Sequence, residues 1–153
     1  MKGSLQDTYA PHNACFGCGP SNEKGLQIKS MVQGDMIVAD WQSQSFHEAF
    51  PGILNGGIIG TLLDCHSNWA AAYFLMKQDN ALAPPCTVTS YFNVSLKRPT
   101  PSLTPVHLEA SLKEIKADRA LIDAKLFAQG KLCATCEGLF VAVKEGHPAY
   151  HRW

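Results

Sequence analysis

The longest apolar run in the chain covers residues 51–76, and its pattern predicts the single long helix of the protein. The run reads PGILNGGIIGTLLDCHSNWAAAYFLM, with turn residues first and a double glycine before the apolar stretch. Asn55 is well placed as the N-cap, because its side chain can accept hydrogen bonds from free N–H groups of the first turn. We expect the helix to run from about residue 57 to about residue 77, where QDNALAPP ends it.

Alternating apolar and polar residues on both sides of this helix predict strands. Before it, LQIKSMV and MIVADWQ flank a Gln-Gly-Asp turn, which predicts a hairpin. After it, TVTSYFNVSLKRP, VHLEASLKEI, RALIDAKLFAQG and KLCATCEGLFVAVKEG are separated by short turns, as in an antiparallel meander. An irregular arm (residues 1–24), two strands, one helix and about four strands indicate a single α+β domain over residues 1–153, with the sheet wrapped on the helix.

The first strand after the helix has a simple predicted alternation. One face carries Val88, Ser90, Phe92, Val94 and Leu96, and the other carries Thr87, Thr89, Tyr91, Asn93 and Ser95.

Charge and composition exclude some classes of partner. The chain has 13 basic and 13 acidic residues, and this balance gives no support to nucleic-acid binding. Zero net charge also permits self-association. The N-terminal sequence has no apolar leader, and Asp64 and other polar residues interrupt the apolar run, so we expect a cytoplasmic protein without a membrane span.

Six cysteines raise the question of a metal site. Cys15 and Cys18 lie in the arm, whereas Cys133 and Cys136 lie in a strand, where side chains three apart point to opposite faces and cannot chelate one ion without a bulge. We expect no metal and no cofactor, and we expect the arm cysteines to fill small buried spaces. A zinc-binding interaction domain stays as a minor alternative.

The start of the helix and Asp64 are the strongest candidates for chemistry. A helix N-terminus presents free N–H donors, and glycines at 56 and 57 allow a ligand to approach them closely. Such a site can bind a phosphate, a carboxylate or a developing oxyanion. Asp64 follows Gly57 by seven residues, on nearly the same face, and is a candidate nucleophile or general base. A simple turn at Gly56-Gly57 and a hydrogen-bonded structural Asp64 are the alternatives.

Distance constrains how these two groups can cooperate. Two helical turns correspond to a rise of ~10.5 Å, whereas an oxyanion donor and an attacking base must both lie ~3 Å from one reacting group. One helix cannot easily supply both. Two antiparallel copies could, with Gly57 of one chain facing Asp64 of the other, which predicts a dimer with shared sites.

Other polar residues are weaker candidates. Thr89 could position a water molecule beside Asp64, and the basic pair Lys97 and Arg98 at a strand end could contact phosphates. His47 precedes the helix and is a candidate substrate contact. His66 lies only two residues beyond Asp64 and therefore points to a different face of the helix.

Three segments of the chain resemble the PaaI-like acyl-CoA thioesterases of the hotdog-fold superfamily. They are CFGCGPSNEKGLQI, FPGILNGGIIGTLLD and TSYFNVSLKRPTP, and ATCEGLFVAV is similar to the last strand of the family. Together they span residues 15–143. The resemblance implies a hotdog fold, in which an antiparallel sheet wraps a long central helix, and a homodimer or a tetramer built as a dimer of dimers.

The same resemblance implies hydrolysis of an acyl-CoA thioester to a free acid and CoA. Asp64 matches the catalytic carboxylate, Gly57 the backbone N–H that polarises the thioester carbonyl, and Thr89 the residue that holds the nucleophilic water. Asn55 stands where the family has a histidine; it can cap the helix and contact a carbonyl but cannot titrate near neutral pH. A non-catalytic module that binds acyl-CoA or lipid is therefore the alternative function.

Overall fold

The computed structural model describes residues 3–153, which contain two α-helices, one turn of 3-10 helix and eight strands. A short helix opens the chain, one long helix lies in its middle, and most strands follow that helix. In chain order the elements are α1 (Leu5–Tyr9), β1 (Met31–Gln33), β2 (Met36–Gln42), β3 (Glu48–Phe50), β4 (Ile53–Leu54), α2 (Gly56–Gln78), β5 (Thr87–Leu96), β6 (Pro105–Lys116), β7 (Arg119–Ala128) and β8 (Lys131–Ala142).

Six of the strands form one antiparallel sheet in the order β1-β2-β6-β7-β8-β5. The predicted first hairpin is confirmed, with Gly34 at φ +60° in its turn. β1 and β5 are the two edges of this sheet, and the sheet curves round α2, which contacts β2, β5, β6, β7 and β8. The predicted α+β class and the wrapped helix are thus confirmed.

Helix α2 has the predicted position, within one residue at each end. Asn55 is the N-cap, and its Oδ1 accepts from the backbone N–H groups of Gly57 (2.7 Å) and Ile58 (3.2 Å). Over its length the helix buries Leu62, Leu63, Trp69 and many smaller side chains against the sheet. No helix within residues 3–153 is both long enough and apolar enough to cross a membrane.

The arm is more ordered than predicted. Residues 1 and 2 lie outside the described residues, and the rest of residues 1–24 contains the helix α1, capped by the Ser4 hydroxyl. Leu5 and Cys18 are buried, and Trp41 Nε1 donates to the carbonyl of Leu26 just beyond the arm. The arm is therefore part of the core, because it covers a face of α2 that the sheet does not reach.

The segment between β2 and α2 contains short elements of its own. Ser45–His47 forms one turn of 3-10 helix, and β3 and β4 pair as a small separate ribbon. The ribbon ends at Leu54, whose N–H donates to the carbonyl of Thr100 (2.9 Å). This contact fixes the chain immediately before the helix cap.

The predicted face assignment of β5 is wrong beyond Thr89. Thr89 pairs with Phe140 and Tyr91 with Leu139, so Ser90 is an extra residue that forms a β-bulge. Thr89 faces α2 through its bond to Asp64, and so does Phe92, whose ring lies 3.8 Å from the Cβ position of Gly60. The bulge therefore moves Phe92 to the same face as Thr89.

The two cysteines of β8 do not lie in an unbroken strand. Cys133 and Cys136 are both buried, and the register of β7 and β8 shifts where Leu126 pairs with Ala134 and Phe127 with Leu132. The bulge left as a possibility by the sequence is present at this point.

His66 belongs to the core. It is fully buried, Nε2 lies 2.9 Å from the carbonyl oxygen of Ile37, and Nδ1 lies 2.8 Å from Ser30 Oγ. A carbonyl only accepts, so Nε2 carries the proton and Nδ1 accepts from the Ser30 hydroxyl, which itself accepts from Gln6 Nε2. Burial lowers the pKa of His66 to about 4, so the ring is neutral and acts as a link between the arm, β2 and α2.

We expect Ser30→Ala to lower the free energy of unfolding by about 1–3 kcal/mol, because it leaves His66 Nδ1 and the Gln6 amide buried without partners. Urea denaturation of the purified variants measures the free energy of unfolding. Ser45→Ala, at an exposed serine whose hydroxyl makes no hydrogen bond among residues 3–153, is the matched control and should stay within about 0.5 kcal/mol. A Ser30→Ala protein as stable as this control would contradict the account of the link.

Candidate active site

Asp64 and Thr89 meet on the side of α2 that faces β5. The Thr89 hydroxyl donates to Asp64 Oδ1 at 2.7 Å, and both residues are half-buried. Thr89 reaches the carboxylate because it lies just before the bulge at Ser90, on the helix side of the strand. The structure thus brings together two of the residues that the sequence singled out, and Asp64 Oδ2 makes no hydrogen bond within residues 3–153.

Electrostatics around Asp64 raise its basicity. Burial raises the pKa of the carboxyl group, and the hydrogen bond from Thr89 opposes this. Cys15 raises that pKa further, and the positive charge of Arg152 lowers it. The sequence did not single out Arg152, because the C-terminal tail carries no recognisable pattern. In the structure two contacts hold this tail against the domain. The Arg152 guanidinium donates to the carbonyl of Thr87 (2.8 Å), and the ring of Trp153 stacks on that of Trp69 with 4.2 Å between the ring centroids.

The start of α2 differs in one respect from an open anion site. The N–H of Gly57, the predicted oxyanion donor, already donates to Asn55 Oδ1, which lies where a ligand oxygen would bind. The N–H of Gly56 has no acceptor within residues 3–153. A carbonyl can therefore reach Gly57 only if the Asn55 side chain rotates away.

A largely apolar cleft of about 470 Å³ opens beside this helix start. Gly56, Lys97 and Arg98 line it, so three of the predicted binding residues share one cleft. The rest of its wall consists of apolar side chains and backbone from β3, β4, α2 and the end of β5, and includes Phe50, Ile53, Ile59 and Leu96. Neither Lys97 nor Arg98 forms an ion pair among residues 3–153, so both charges are available to a ligand.

His47 does not share this cleft. Its ring packs against Trp41 and Phe46 and lines a different cavity of about 500 Å³, together with Glu23 and Lys24. Its Nδ1 accepts from the N–H of Gln44 (2.9 Å), and burial lowers its pKa. Only its backbone contributes to the helix start, where its carbonyl accepts from the N–H of Asn55 (3.0 Å).

Known structures share this architecture. The chain is 27% identical to a thioesterase superfamily protein from Shewanella loihica PV-4, with a TM-score of 0.69 over 91% of this chain and 99% of that one. The chain has the hotdog fold of thioesterase-superfamily proteins. The same hotdog fold is found in the E. coli PaaI protein from the phenylacetic acid degradation operon, at 16% identity and a TM-score of 0.63 over 78% of this chain and 81% of that one.

Comparisons at the level of sequence add nothing to these structural likenesses. No protein-family model matches the chain. No curated protein matches it either. The resemblance of the three motifs is thus supported by the fold, in which they form the arm, the helix start with Asp64, and β5.

We expect Asn55→Ala to lower the free energy of unfolding by about 1 kcal/mol, because the N–H groups of Gly57 and Ile58 lose their acceptor. Asn55→Ser is the matched control and should stay close to the native value, since serine caps helices about as well as asparagine. Both values come from urea denaturation. Equal stability of the alanine and native proteins would show that the cap is not needed.

Proposed function

We propose that this chain hydrolyses an acyl-CoA thioester to a carboxylic acid and CoA. The observation that carries the proposal is the half-buried Asp64 carboxylate, held by Thr89 on the same helix face as a glycine-rich helix start. A carboxylate fixed in this way has one oxygen left to act on a substrate or on water. The fold that the chain shares with a thioesterase superfamily protein supports the same reaction.

Each group has a role in the reaction. The thioester carbonyl binds at the N-terminus of α2, where it replaces Asn55 Oδ1 as the acceptor from Gly57 and its developing negative charge is stabilised. Asp64 attacks the carbonyl carbon or removes a proton from a water molecule that does so, and Thr89 holds the carboxylate in position. The C–S bond then breaks, and the CoA sulfur leaves and takes up a proton that comes from water. Where Asp64 itself is the nucleophile, a water molecule then hydrolyses the acyl–Asp64 anhydride, which releases the acid and restores the carboxylate.

The site is complete only if two chains contribute to it. Within one chain Gly57 and Asp64 are separated by two helical turns, a rise of ~10.5 Å. β5 is a ten-residue edge strand next to α2, and Tyr91, Phe92 and Leu96 on it are exposed. Such an edge is a ready surface for pairing with a second copy.

Antiparallel pairing of two β5 strands gives the required arrangement. Leu96 packs 3.5 Å from the Cβ position of Gly56, and Thr89 bonds to Asp64, so the two ends of β5 mark the two halves of the site. A two-fold axis at Phe92 sets each Phe92 opposite its counterpart and places Leu96 of the partner subunit one residue from the position opposite Thr89. The helix start of one subunit then lies next to Asp64 of the other.

The cleft at the helix start suits the two parts of the substrate. Its apolar wall can hold an acyl or pantetheine chain, and the positive charges of Lys97 and Arg98 at its rim can pair with CoA phosphates. His47, which faces another cavity, has no role in this arrangement.

A second candidate function is acyl-CoA binding without hydrolysis. The observation that favours it is the occupied N–H of Gly57, because an oxyanion donor that keeps its internal acceptor cannot stabilise a transition state. This candidate predicts saturable acyl-CoA binding without release of CoA.

We expect Asp64→Asn to lower kcat for CoA release about 100-fold or more, because the amide cannot act as base or nucleophile. Thr89→Val removes one hydrogen bond to a charged group and should lower kcat/KM about 10-fold. Thr135→Val, on β8 away from Asp64, is the matched control. A thiol-reactive dye follows CoA release from a panel of acyl-CoAs.

The two functions give different results in this assay. Undiminished turnover in Asp64→Asn would contradict the catalytic role of Asp64. Native protein that binds acyl-CoA in calorimetry, yet releases no CoA from any member of the panel, would favour the binding module.

We expect Phe92→Lys to separate the proposed dimer, because two lysines would face each other across the two-fold axis. Sedimentation velocity measures the association state, and the monomer should also lose CoA release although it retains Gly57 and Asp64. Leu112→Lys on β6, three strands away from β5, is the matched control and should leave the dimer intact. An active monomer would contradict the shared site.

A further inference from the structure

Three cysteine side chains converge where the arm meets α2. Cys15 and Cys18 come from the arm and Cys65 from the helix, and their sulfur atoms all lie within 4.8 Å of one another. The sulfurs of Cys15 and Cys65 are 3.8 Å apart, although the two residues are 50 positions apart in the sequence. The other three cysteines lie elsewhere, with Cys86 before β5 and Cys133 and Cys136 in β8.

The loop that carries Cys15 and Cys18 is firmly held in place. The N–H of Cys15 donates to Asn13 Oδ1 (2.8 Å), and the N–H of Gly19 donates to the carbonyl of Cys15 (2.8 Å). Downstream residues close the other side, where the N–H of Ile28 donates to the carbonyl of Gly17 (3.1 Å). The spacing of the two arm sulfurs is thus set by backbone hydrogen bonds.

Glycines allow this loop to lie directly on α2. A Cβ at Gly17 would lie 2.3 Å from Cys65 Sγ and 2.9 Å from Thr61 Cγ2, and a Cβ at Gly19 would lie 2.4 Å from the backbone nitrogen of Cys15. The sequence Cys-Phe-Gly-Cys-Gly therefore brings two sulfurs of a tight turn against a third sulfur on the helix.

N–H groups are directed at the sulfurs of this cluster. Hydrogen bonds from the thiols of Cys18 and Cys65, and from the backbone N–H groups of Gly17 and Cys18, lower the pKa of Cys15, whereas the hydrogen bonds with Cys15 raise the pKa values of Cys18 and Cys65. Trp69 Nε1 donates to Cys18 Sγ at 3.4 Å. Thiols that only fill space do not need N–H donors directed at them, whereas metal-bound thiolates do.

We propose that Cys15, Cys18 and Cys65 bind one zinc ion, with a fourth position open to water or another small ligand. Sulfurs bound at ~2.3 Å to a tetrahedral zinc ion lie about 3.8 Å apart, which is the separation already present between Cys15 and Cys65. Three sulfurs converge here, whereas a disulfide needs only two, and soft thiolate sets favour zinc among the common divalent ions. Binding displaces the remaining thiol protons to solvent and requires no oxidant.

Such a site fastens the arm to α2 at the residue that follows Asp64. It contributes no reacting group to the proposed hydrolysis, because Asp64 and Thr89 meet through a bond of their own on the β5 side of the helix. We therefore expect zinc to act on stability. Loss of the ion should release residues 15–18 from the helix.

Metal analysis of the intact chain tests the proposal. The purified protein is reduced with a phosphine, stripped with a chelator, incubated with zinc chloride and passed through a desalting column. Mass spectrometry of the eluate should find about one zinc ion per chain, and zinc should raise the melting temperature. Cys15→Ser and Cys65→Ser should lose both effects, and Cys86→Ser should keep both.

Cobalt gives a readout on the native protein that does not depend on the folding of any variant. Cobalt(II) added to the stripped, reduced chain should produce the sulfur-to-metal charge-transfer absorption and the intense visible bands of a tetrahedral thiolate site. Native protein that elutes without zinc and shows no such absorption overturns the proposal. Zinc retained by both serine variants also overturns it, because the ion would then be bound elsewhere.

Discussion

The structure depends on one constraint: a helix that carries polar side chains in its middle is buried inside a curved sheet. Helix α2 is covered along most of its length, yet it carries Asp64, His66 and Asn68 in its middle. Buried polar groups are costly unless they are hydrogen-bonded, so each of the three needs a partner from another element. Ser30 and the carbonyl of Ile37 serve His66, Thr87 serves Asn68, and Thr89 serves Asp64.

The hydrogen bonds of these three side chains have different consequences for function. His66 and Asn68 are fully enclosed, so their bonds only fix the arm, β2 and β5 against the helix. Asp64 faces the edge strand β5 and is only half-buried, so Thr89 holds one carboxylate oxygen while the other makes no hydrogen bond among residues 3–153. A group that is positioned by the core and still reachable from the surface is suited to catalysis. The same edge leaves the proposed site incomplete in one chain.

The sequence predicted elements whose signals are local. The apolar run and its Asn55 cap gave α2 within a residue at each end, and the seven-residue spacing of Gly57 and Asp64 placed both on one face. The bulge at Ser90 was not predictable, because a break in strand register depends on the partner strand β8. The contacts of Cys65 with the arm and of Arg152 with β5 also join residues far apart in the chain. Asn55 was assigned two roles, and only the structure shows that its capping bond occupies the donor that catalysis would use.

Subunit mixing tests the central claim that one site is built from two chains. Asp64→Asn and Gly57→Pro each remove one half of the site, the latter because proline has no N–H and is tolerated in a first helical turn. The two inactive proteins are unfolded together, refolded and assayed for CoA release. Random pairing of the two variants should restore about one quarter of the native rate, since half of the dimers are mixed and each mixed dimer has one intact site. A mixture as inactive as its two components would contradict the shared site.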